Sequence, residues 1–265
     1  MTIQDITRGL NRVMRRRKAE SAGLLLAGAL AAGGLVAAGT SSPSSLLGPS
    51  TRFVESAVAK QQPAQSAQPT DSTERWDLAN LDNHRVDSWV RRFTSDLKQS
   101  FARYLGRMDK YASMISAKLA QRGMPQDLVY LAMIESGFNP TAKSPAHASG
   151  LWQFVSETAR RYGLTVNRKV DERNDPAKAT DAALSYLADL YNRFGSWYLA
   201  AAAYNTGENR VGRIMREVTG SERGTDADYY RIASLLPQET QDYVPKLIAA
   251  ARIAKEPDKY GFAGG

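Results

Sequence analysis

The sequence predicts an all-α domain, and three observations support this prediction. Apolar residues recur at helical spacing in several segments beyond residue 84, and start or stop signals bound these segments. No pair of alternating apolar strands is joined by a hairpin turn, and no internal repeat is apparent. The content of 43% hydrophobic and 23% charged residues is typical of a globular chain with its own core.

An apolar stripe predicts the first helix. Five apolar side chains recur every fourth residue: Trp89, Phe93, Leu97, Phe101 and Leu105. This spacing places them on one face of a helix over residues 85–106. Tyr111, Ile115 and Leu119 continue the spacing and predict a second helix, which ends near Gly123.

The remaining helices are predicted from apolar runs and capping residues. Pro125 suits the first turn of a helix whose run from Leu128 to Ile134 is apolar nearly all round, so we expect this helix to be buried. Asp175 and Pro176 form an N-cap and a first helical position, and helical spacing follows as far as Gly195. Three more helices are predicted over residues 197–204, 208–218 and 239–254.

The positive charge of the chain gives little functional information. The formal net charge is +8, but residues 1–20 contain six basic side chains against two acidic ones, so half of the excess is N-terminal. The remaining positive charge is compatible with binding to an anionic polymer and equally with ordinary solubility. No basic helix is interleaved with aromatic residues and no nucleic-acid-binding motif occurs, so we expect no nucleic-acid partner.

The cysteine and histidine content excludes several kinds of chemistry. The chain has no cysteine, which rules out disulfides, thiolate metal sites, a cysteine nucleophile and acylation of a lipoprotein-type cysteine. Its two histidines, His84 and His147, are not in a recognisable ligand spacing. We therefore predict neither a metal site nor a cofactor.

The chain divides into four segments. Residues 1–40 are predicted to be a signal peptide or an N-terminal membrane anchor, because the uncharged stretch 22–39 follows a basic cluster. Residues 41–84 are rich in Ser, Pro and Gln and predict a disordered linker. The folded domain is expected over 85–255, and residues 256–265 form a tail.

Glu135 is the residue with the clearest chemical implication. It lies at the end of the most apolar predicted helix, where burial disfavours the charged carboxylate and raises the pKa. A glutamic acid with a raised pKa can act as a general acid near neutral pH. Buried glutamates also cap helices or pair with arginines, so position alone leaves both interpretations open.

Four motifs in a fixed order carry a family resemblance. They are Glu135-Ser136, Gly150-Leu151-Trp152-Gln153, Ala203-Tyr204-Asn205, and Glu239-Thr240 with the following Tyr243-Val244-Pro245-Lys246. Over residues 85–255 the chain resembles the lytic transglycosylases of the soluble-lytic-transglycosylase (SLT) type, most nearly the membrane-bound type D enzymes. The resemblance implies a lysozyme-like fold related to that of goose-type lysozyme.

The resemblance also implies roles for individual residues. Glu135 matches the catalytic acid and base of the family. The positions that match residues lining its substrate cleft are Ser144, Gln153, Tyr204, Asn205, Glu239 and Tyr243. Without the resemblance, Ser144 could cap a loop turn, Gln153 could cap a helix, Tyr204 could pack in the core, and Glu239 could be a solvated first-turn residue.

The reaction implied by the resemblance is cleavage of the bond between N-acetylmuramic acid and N-acetylglucosamine, with formation of a 1,6-anhydro ring. Expected partners are peptidoglycan glycan strands, the membrane through residues 22–39, and a cell-envelope assembly protein. The expected location is the periplasm, free or anchored to the inner membrane. The alternatives are a goose-type lysozyme-like hydrolase, and a non-catalytic module for wall binding or assembly.

Overall fold

The computed structural model describes residues 77–78 and 83–262, all of which belong to one of the two compact units of the chain. The predicted signal or anchor and nearly all of the predicted linker lie outside the described residues. The all-α prediction is confirmed, because the described residues form helices and three isolated β-bridges but no β-strand. No helix in this part of the chain combines the length and the hydropathy needed to span a bilayer.

Nine α-helices occur among the described residues. They are α1 (His84–Thr94), α2 (Lys98–Gln121), α3 (Val129–Ser136), α4 (Ser156–Arg161), α5 (Pro176–Phe194), α6 (Trp197–Thr206), α7 (Glu208–Thr219), α8 (Asp226–Ile232) and α9 (Gln238–Lys255). Short 3-10 helices cover Gln126–Leu128, Glu172–Asn174, Ala233–Leu235 and Pro257–Tyr260.

The prediction of a single helix over 85–106 is wrong, because the helical conformation is interrupted between α1 and α2. Ser95 leaves the helical region with φ −119° and ψ −94°, and its hydroxyl donates to the carbonyl oxygen of Arg91 at 2.7 Å. Such local side-chain hydrogen bonds compete with the helical ladder. The apolar stripe nevertheless continues across the break, since the rings of Phe93 and Phe101 lie 4.7 Å apart. The later part of the stripe and the predicted second helix form one helix, α2.

The capping prediction for α5 is confirmed. The Asp175 side chain accepts hydrogen bonds from the backbone N–H groups of Ala177 and Lys178, both at 3.0 Å. Pro176 is the first helical residue, and Gly195 follows the last one. Helices α6, α7 and α9 also occur where the sequence predicts them, within two residues at each end.

Two short helices were not predicted from the sequence. Helix α4 buries only Ala159, so it has no apolar stripe. Helix α8 begins with a capping box in which Thr225 and Asp228 each bond the other's backbone N–H. The T-x-x-D spacing could have revealed α8.

The core is built around α3 and α6, which are buried on almost every side. Seven of the eight α3 residues are buried, which confirms the expectation for this helix. Helix α6 contributes the fully buried run Tyr198–Ala203. Helix α9 packs against α1, α3 and α6. Helix α9 therefore joins α3, which carries Glu135, to α6, which carries Tyr204 and Asn205.

Candidate active site

The end of α3 is held in place by its own sequence. Gly137 adopts φ +57°, and a Cβ atom on it would lie 2.2 Å from the Tyr104 ring, so only glycine fits. The Ser136 hydroxyl donates to the carbonyl oxygen of Leu151 at 2.9 Å, and Arg107 Nε donates to that of Gly137 at 2.7 Å. These contacts fix the backbone around Glu135.

Glu135 is buried, and only 8% of its surface is exposed. The Tyr243 hydroxyl donates a hydrogen bond to Glu135 Oε1 at 2.5 Å. Burial raises the pKa of Glu135 to about 7; the charge of Glu239 adds to the rise, while the Tyr243 hydrogen bond and the charge of Lys246 oppose it. The carboxyl group is thus present in both protonation states near neutral pH, which suits an acid that later acts as a base.

Helix α9 supplies Glu239 from its first turn, and α6 supplies the partner of that side chain. Asn205 Nδ2 donates to Glu239 Oε1 at 3.4 Å, and the Thr240 hydroxyl donates to Asn205 Oδ1 at 2.7 Å. Because Asn205 Oδ1 accepts from the Thr240 hydroxyl, the NH₂ group of the Asn205 amide faces the Glu239 carboxylate. Burial raises the pKa of Glu239, against the opposing effects of Asn205 and Lys246.

Tyr204 lies beside Glu135 without bonding to it. Its hydroxyl donates to the carbonyl oxygen of Trp152 at 2.8 Å, and its ring centroid lies 5.2 Å from that of Tyr186. Burial, and then the charge of Glu135, raise the pKa of Tyr204 well above its usual value. Tyr204 is therefore a neutral hydroxyl near the acid.

Gln153 has an unusual backbone and an unsatisfied side chain. It adopts φ +47°, which is uncommon for a residue other than glycine. Its Nε2 donates to the carbonyl oxygens of Ala142 at 3.2 Å and Gly150 at 2.8 Å. Its buried Oε1 has no hydrogen-bond partner among the described residues. A buried acceptor without a partner costs about 1–3 kcal/mol, so Oε1 is suited to receive a donor from a ligand.

Ser144 is not joined to the acid. Its hydroxyl oxygen accepts from the backbone N–H of Ala148 at 3.0 Å, which is the role of a residue that caps a loop turn. Trp152 is fully buried, and its indole N–H donates to the Thr180 hydroxyl at 3.0 Å, so it packs in the core. The structure thus brings together Glu135, Tyr204, Asn205, Glu239 and Tyr243, while Ser144 and Gln153 lie in the adjoining loop.

Lys246 belongs to this cluster but was not identified from the sequence. It follows Glu239 by seven residues and Tyr243 by three, a spacing that places all three on one face of α9. Its ammonium group lies 4.6 Å from the ring centroid of Trp89. The helical spacing after the Glu239 motif could have identified it. No group of three or more potential metal-ligating side chains occurs within residues 77–78 and 83–262.

The replacement Tyr243→Phe is expected to raise the pKa of Glu135 by about one unit, because it removes a hydrogen bond that favours the carboxylate. Carbon-13 NMR titration of glutamate side chains measures this pKa directly. Tyr162→Phe is the matched control, since the Tyr162 hydroxyl bonds Asp189 instead. An unchanged Glu135 pKa in Tyr243→Phe would contradict the assigned contact.

The fold and the site define a class: an all-α domain with a buried glutamate, Glu135, whose pKa is raised to about 7. A family model described as the transglycosylase SLT domain matches residues 112–226. The chain belongs to this family, and the predicted lysozyme-like fold follows from that membership. The matched range includes Glu135, Gln153, Tyr204 and Asn205, whereas helix α9 lies beyond it.

The chain is also similar in sequence to individual proteins. The membrane-bound lytic murein transglycosylase D of Escherichia coli strain K12 is 41% identical over 156 residues, which cover 58% of this chain and 34% of that protein. A putative tributyltin chloride resistance protein of Alteromonas sp. strain M-1 is 32% identical over 152 residues, which cover 57% of this chain and 71% of that protein.

Among solved structures, the 70 kDa soluble lytic transglycosylase of Escherichia coli overlaps with a TM-score of 0.45 and 26% identity, over 55% of this chain and 24% of that one. The chain spans about a third of the length of the Escherichia coli strain K12 relative that it matches.

Proposed function

We propose that the chain is a peptidoglycan lytic transglycosylase in which Glu135 is the general acid and then the general base. The observation that carries this proposal is the burial of Glu135, which raises its pKa to about 7 beside the Tyr243 hydroxyl. The names of the relatives and the SLT domain match support the substrate class.

In the first step, protonated Glu135 gives its proton to the oxygen that joins N-acetylmuramic acid to N-acetylglucosamine. The bond from muramyl C1 to that oxygen breaks, and the N-acetylglucosamine end leaves as an alcohol. The resulting Glu135 carboxylate keeps the hydrogen bond from Tyr243, which stabilises the charge formed in this step.

In the second step, the Glu135 carboxylate removes the proton from the 6-hydroxyl of the same muramyl residue. The freed oxygen attacks C1 and closes the 1,6-anhydro ring, and Glu135 regains the proton that it gave up. Because the nucleophile belongs to the substrate, its proximity replaces an activated water and can contribute several kcal/mol, on the order of intramolecular effective-molarity gains.

The surrounding side chains would hold the sugar. Gln153 Oε1 is suited to accept from an acetamido N–H or a hydroxyl group. Asn205 and Glu239 form a polar pair beside the acid, and Tyr204 contributes a ring and a neutral hydroxyl. Ser144 remains a proposed cleft residue whose hydroxyl would need to leave its loop contact to reach the sugar.

Hydrolysis is the second candidate, because a second carboxyl lies near the first. Most glycosidases use two carboxyl groups, one as acid and one as base or nucleophile. The charge of Glu239 raises the pKa of Glu135, so the two carboxyl groups are close enough for Glu239 to activate a water as in a lysozyme. The match to the transglycosylase SLT domain and the relative named as a lytic murein transglycosylase favour the transglycosylase instead.

Mass spectrometry of the fragments released from purified peptidoglycan by the full chain separates the candidates. We expect muropeptides that end in 1,6-anhydromuramic acid. Reducing-end muramic acid would instead establish hydrolysis. Co-sedimentation with peptidoglycan without released fragments would indicate a binding or assembly module.

We further propose that the protein acts outside the cytoplasmic membrane, in the periplasm or anchored to the inner membrane. The support is the predicted signal or anchor at residues 22–39, which lies outside the described residues, and a relative that is named membrane-bound. A cell-envelope assembly protein remains a proposed partner alongside the glycan strands.

A further inference from the structure

Three side chains of α9 face the site in succession: Glu239, Tyr243 and Lys246. Tyr243 bonds Glu135, and Glu239 bonds Asn205, so each of these two has a polar partner in the site. Within residues 77–78 and 83–262, Lys246 makes no hydrogen bond and no ion pair, and its ammonium group contacts the ring of Trp89.

The ammonium group of Lys246 is held by an aromatic ring instead. It lies 4.6 Å from the ring centroid of Trp89, a residue of α1 that is only 7% exposed. A cation over the face of an aromatic ring is attracted by the negative face of the ring's quadrupole. Trp89 thus holds the ammonium group outside direct contact with the carboxyl groups.

The charged groups around Lys246 come from three helices. Burial lowers the pKa of Lys246, and the charge of Arg92 of α1 adds to this effect. Glu239 of α9, Glu135 of α3 and Asp242 of α9 oppose it. Asp242 is already paired with Arg85 of α1 at 2.8 Å.

Glu135 itself faces neutral and charged groups from two helices besides its own. Tyr243, Lys246 and Glu239 act on it from α9, and the neutral Tyr204 lies beside it from α6. The acid and Glu239 therefore share one nearby ammonium group, that of Lys246.

The charge balance of the site changes during the proposed reaction. Before proton transfer, Lys246 faces one charged carboxylate if Glu239 is ionised and Glu135 is protonated. After transfer it faces two. A direct salt bridge to Glu135 would keep that residue ionised and prevent it from acting as an acid. A cation held farther away can favour the carboxylate without abolishing the acid.

We propose that Lys246 is a positioning residue that acts through Glu135: it is the counter-charge for the carboxylate formed when Glu135 gives up its proton. This role in turnover rests on the proposed function, whereas the electrostatic coupling between the two residues does not. Removal of the positive charge should make Glu135 a weaker acid.

The test compares Lys246→Met with Lys246→Arg in the full chain. In Lys246→Met, the Glu135 pKa measured by carbon-13 NMR titration is expected to rise by about half a unit to one unit. The alkaline limb of the pH profile of cleavage should move up by the same amount, and the plateau rate should fall about 3- to 10-fold. Lys246→Arg should restore both values, because it keeps the charge.

Lys110→Met is the matched control, because Lys110 also lies over an aromatic ring, 5.6 Å from the Tyr111 centroid, but away from the site. It should leave the titration and the pH profile unchanged. If Lys246→Met unfolds, Lys246→Gln takes its place.

An unchanged or lowered Glu135 pKa in a folded Lys246→Met protein would overturn the inference, even if cleavage were lost. Failure of the proposed function is a separate outcome. If the wild-type protein released no fragments while the NMR titration shifted as expected, the transglycosylase proposal would fail and the electrostatic coupling would stand.

Discussion

Glu135→Gln is expected to reduce the rate of anhydro-muropeptide release by on the order of 10³-fold or more, because an amide cannot donate the proton that the leaving oxygen needs. The replacement has nearly the same shape, and its carbonyl oxygen can still accept from Tyr243. Binding to peptidoglycan should therefore survive. Quantitative mass spectrometry of released fragments measures the rate, and co-sedimentation measures the binding.

Glu157→Gln is the matched control for this loss. Glu157 is exposed in the first turn of α4, so its replacement should leave the rate unchanged. A Glu135→Gln rate within a few-fold of wild type would remove Glu135 from the mechanism and leave it a structural role.

Gly150→Ala is expected to lower the free energy of unfolding by about 3 kcal/mol. Gly150 adopts φ +87°, and an added Cβ would lie 1.8 Å from the carbonyl oxygen of Arg173. That backbone cannot move freely, because the Arg173 guanidinium donates to the carbonyl oxygens of His147 at 2.8 Å and Phe154 at 3.0 Å and pairs with Asp171. Urea-induced unfolding measures the change.

Gly163→Ala separates the clash from the backbone strain. Gly163 has nearly the same φ, +85°, but an added Cβ would meet nothing within 4 Å. Its replacement should cost only about 1 kcal/mol, the strain of a positive φ. An equal decrease in the free energy of unfolding in the two variants would show that the close approach of the Arg173 carbonyl oxygen does not contribute to the destabilisation.

The helices could be predicted wherever an apolar stripe and a cap coincide, as at Asp175 and Pro176. The break at Ser95 could not be predicted, because α1 and α2 bury the same apolar stripe. The spacing of Phe93 and Phe101 along the sequence therefore gives no sign of the turn between the two helices. Helix α4 has too few buried residues to produce a pattern.

The site was predictable to a similar degree. Ordered motifs indicated Glu135 and its neighbours on α6 and α9, and helical geometry explains why Glu239 and Tyr243 share a face. The free Oε1 of Gln153 depends on a positive φ and on two carbonyl groups in the loop, which no spacing reveals. Lys246 forms part of the last motif but was not assigned to the site, although its helical spacing after Glu239 and Tyr243 could have identified it. Its contact with Trp89, which is distant in the chain, could not be predicted.

Burial of Glu135 also links proton uptake to folding. Its pKa is about 7 in the folded chain against an ordinary value of 4.5, so between these pH values the folded state holds a proton that the unfolded state has released. The contribution of this carboxyl to stability is complete below pH 4.5 and is lost as the pH rises to about 7, a difference of roughly 3 kcal/mol. The group proposed to perform the chemistry thus weakens the fold at the pH where it would work.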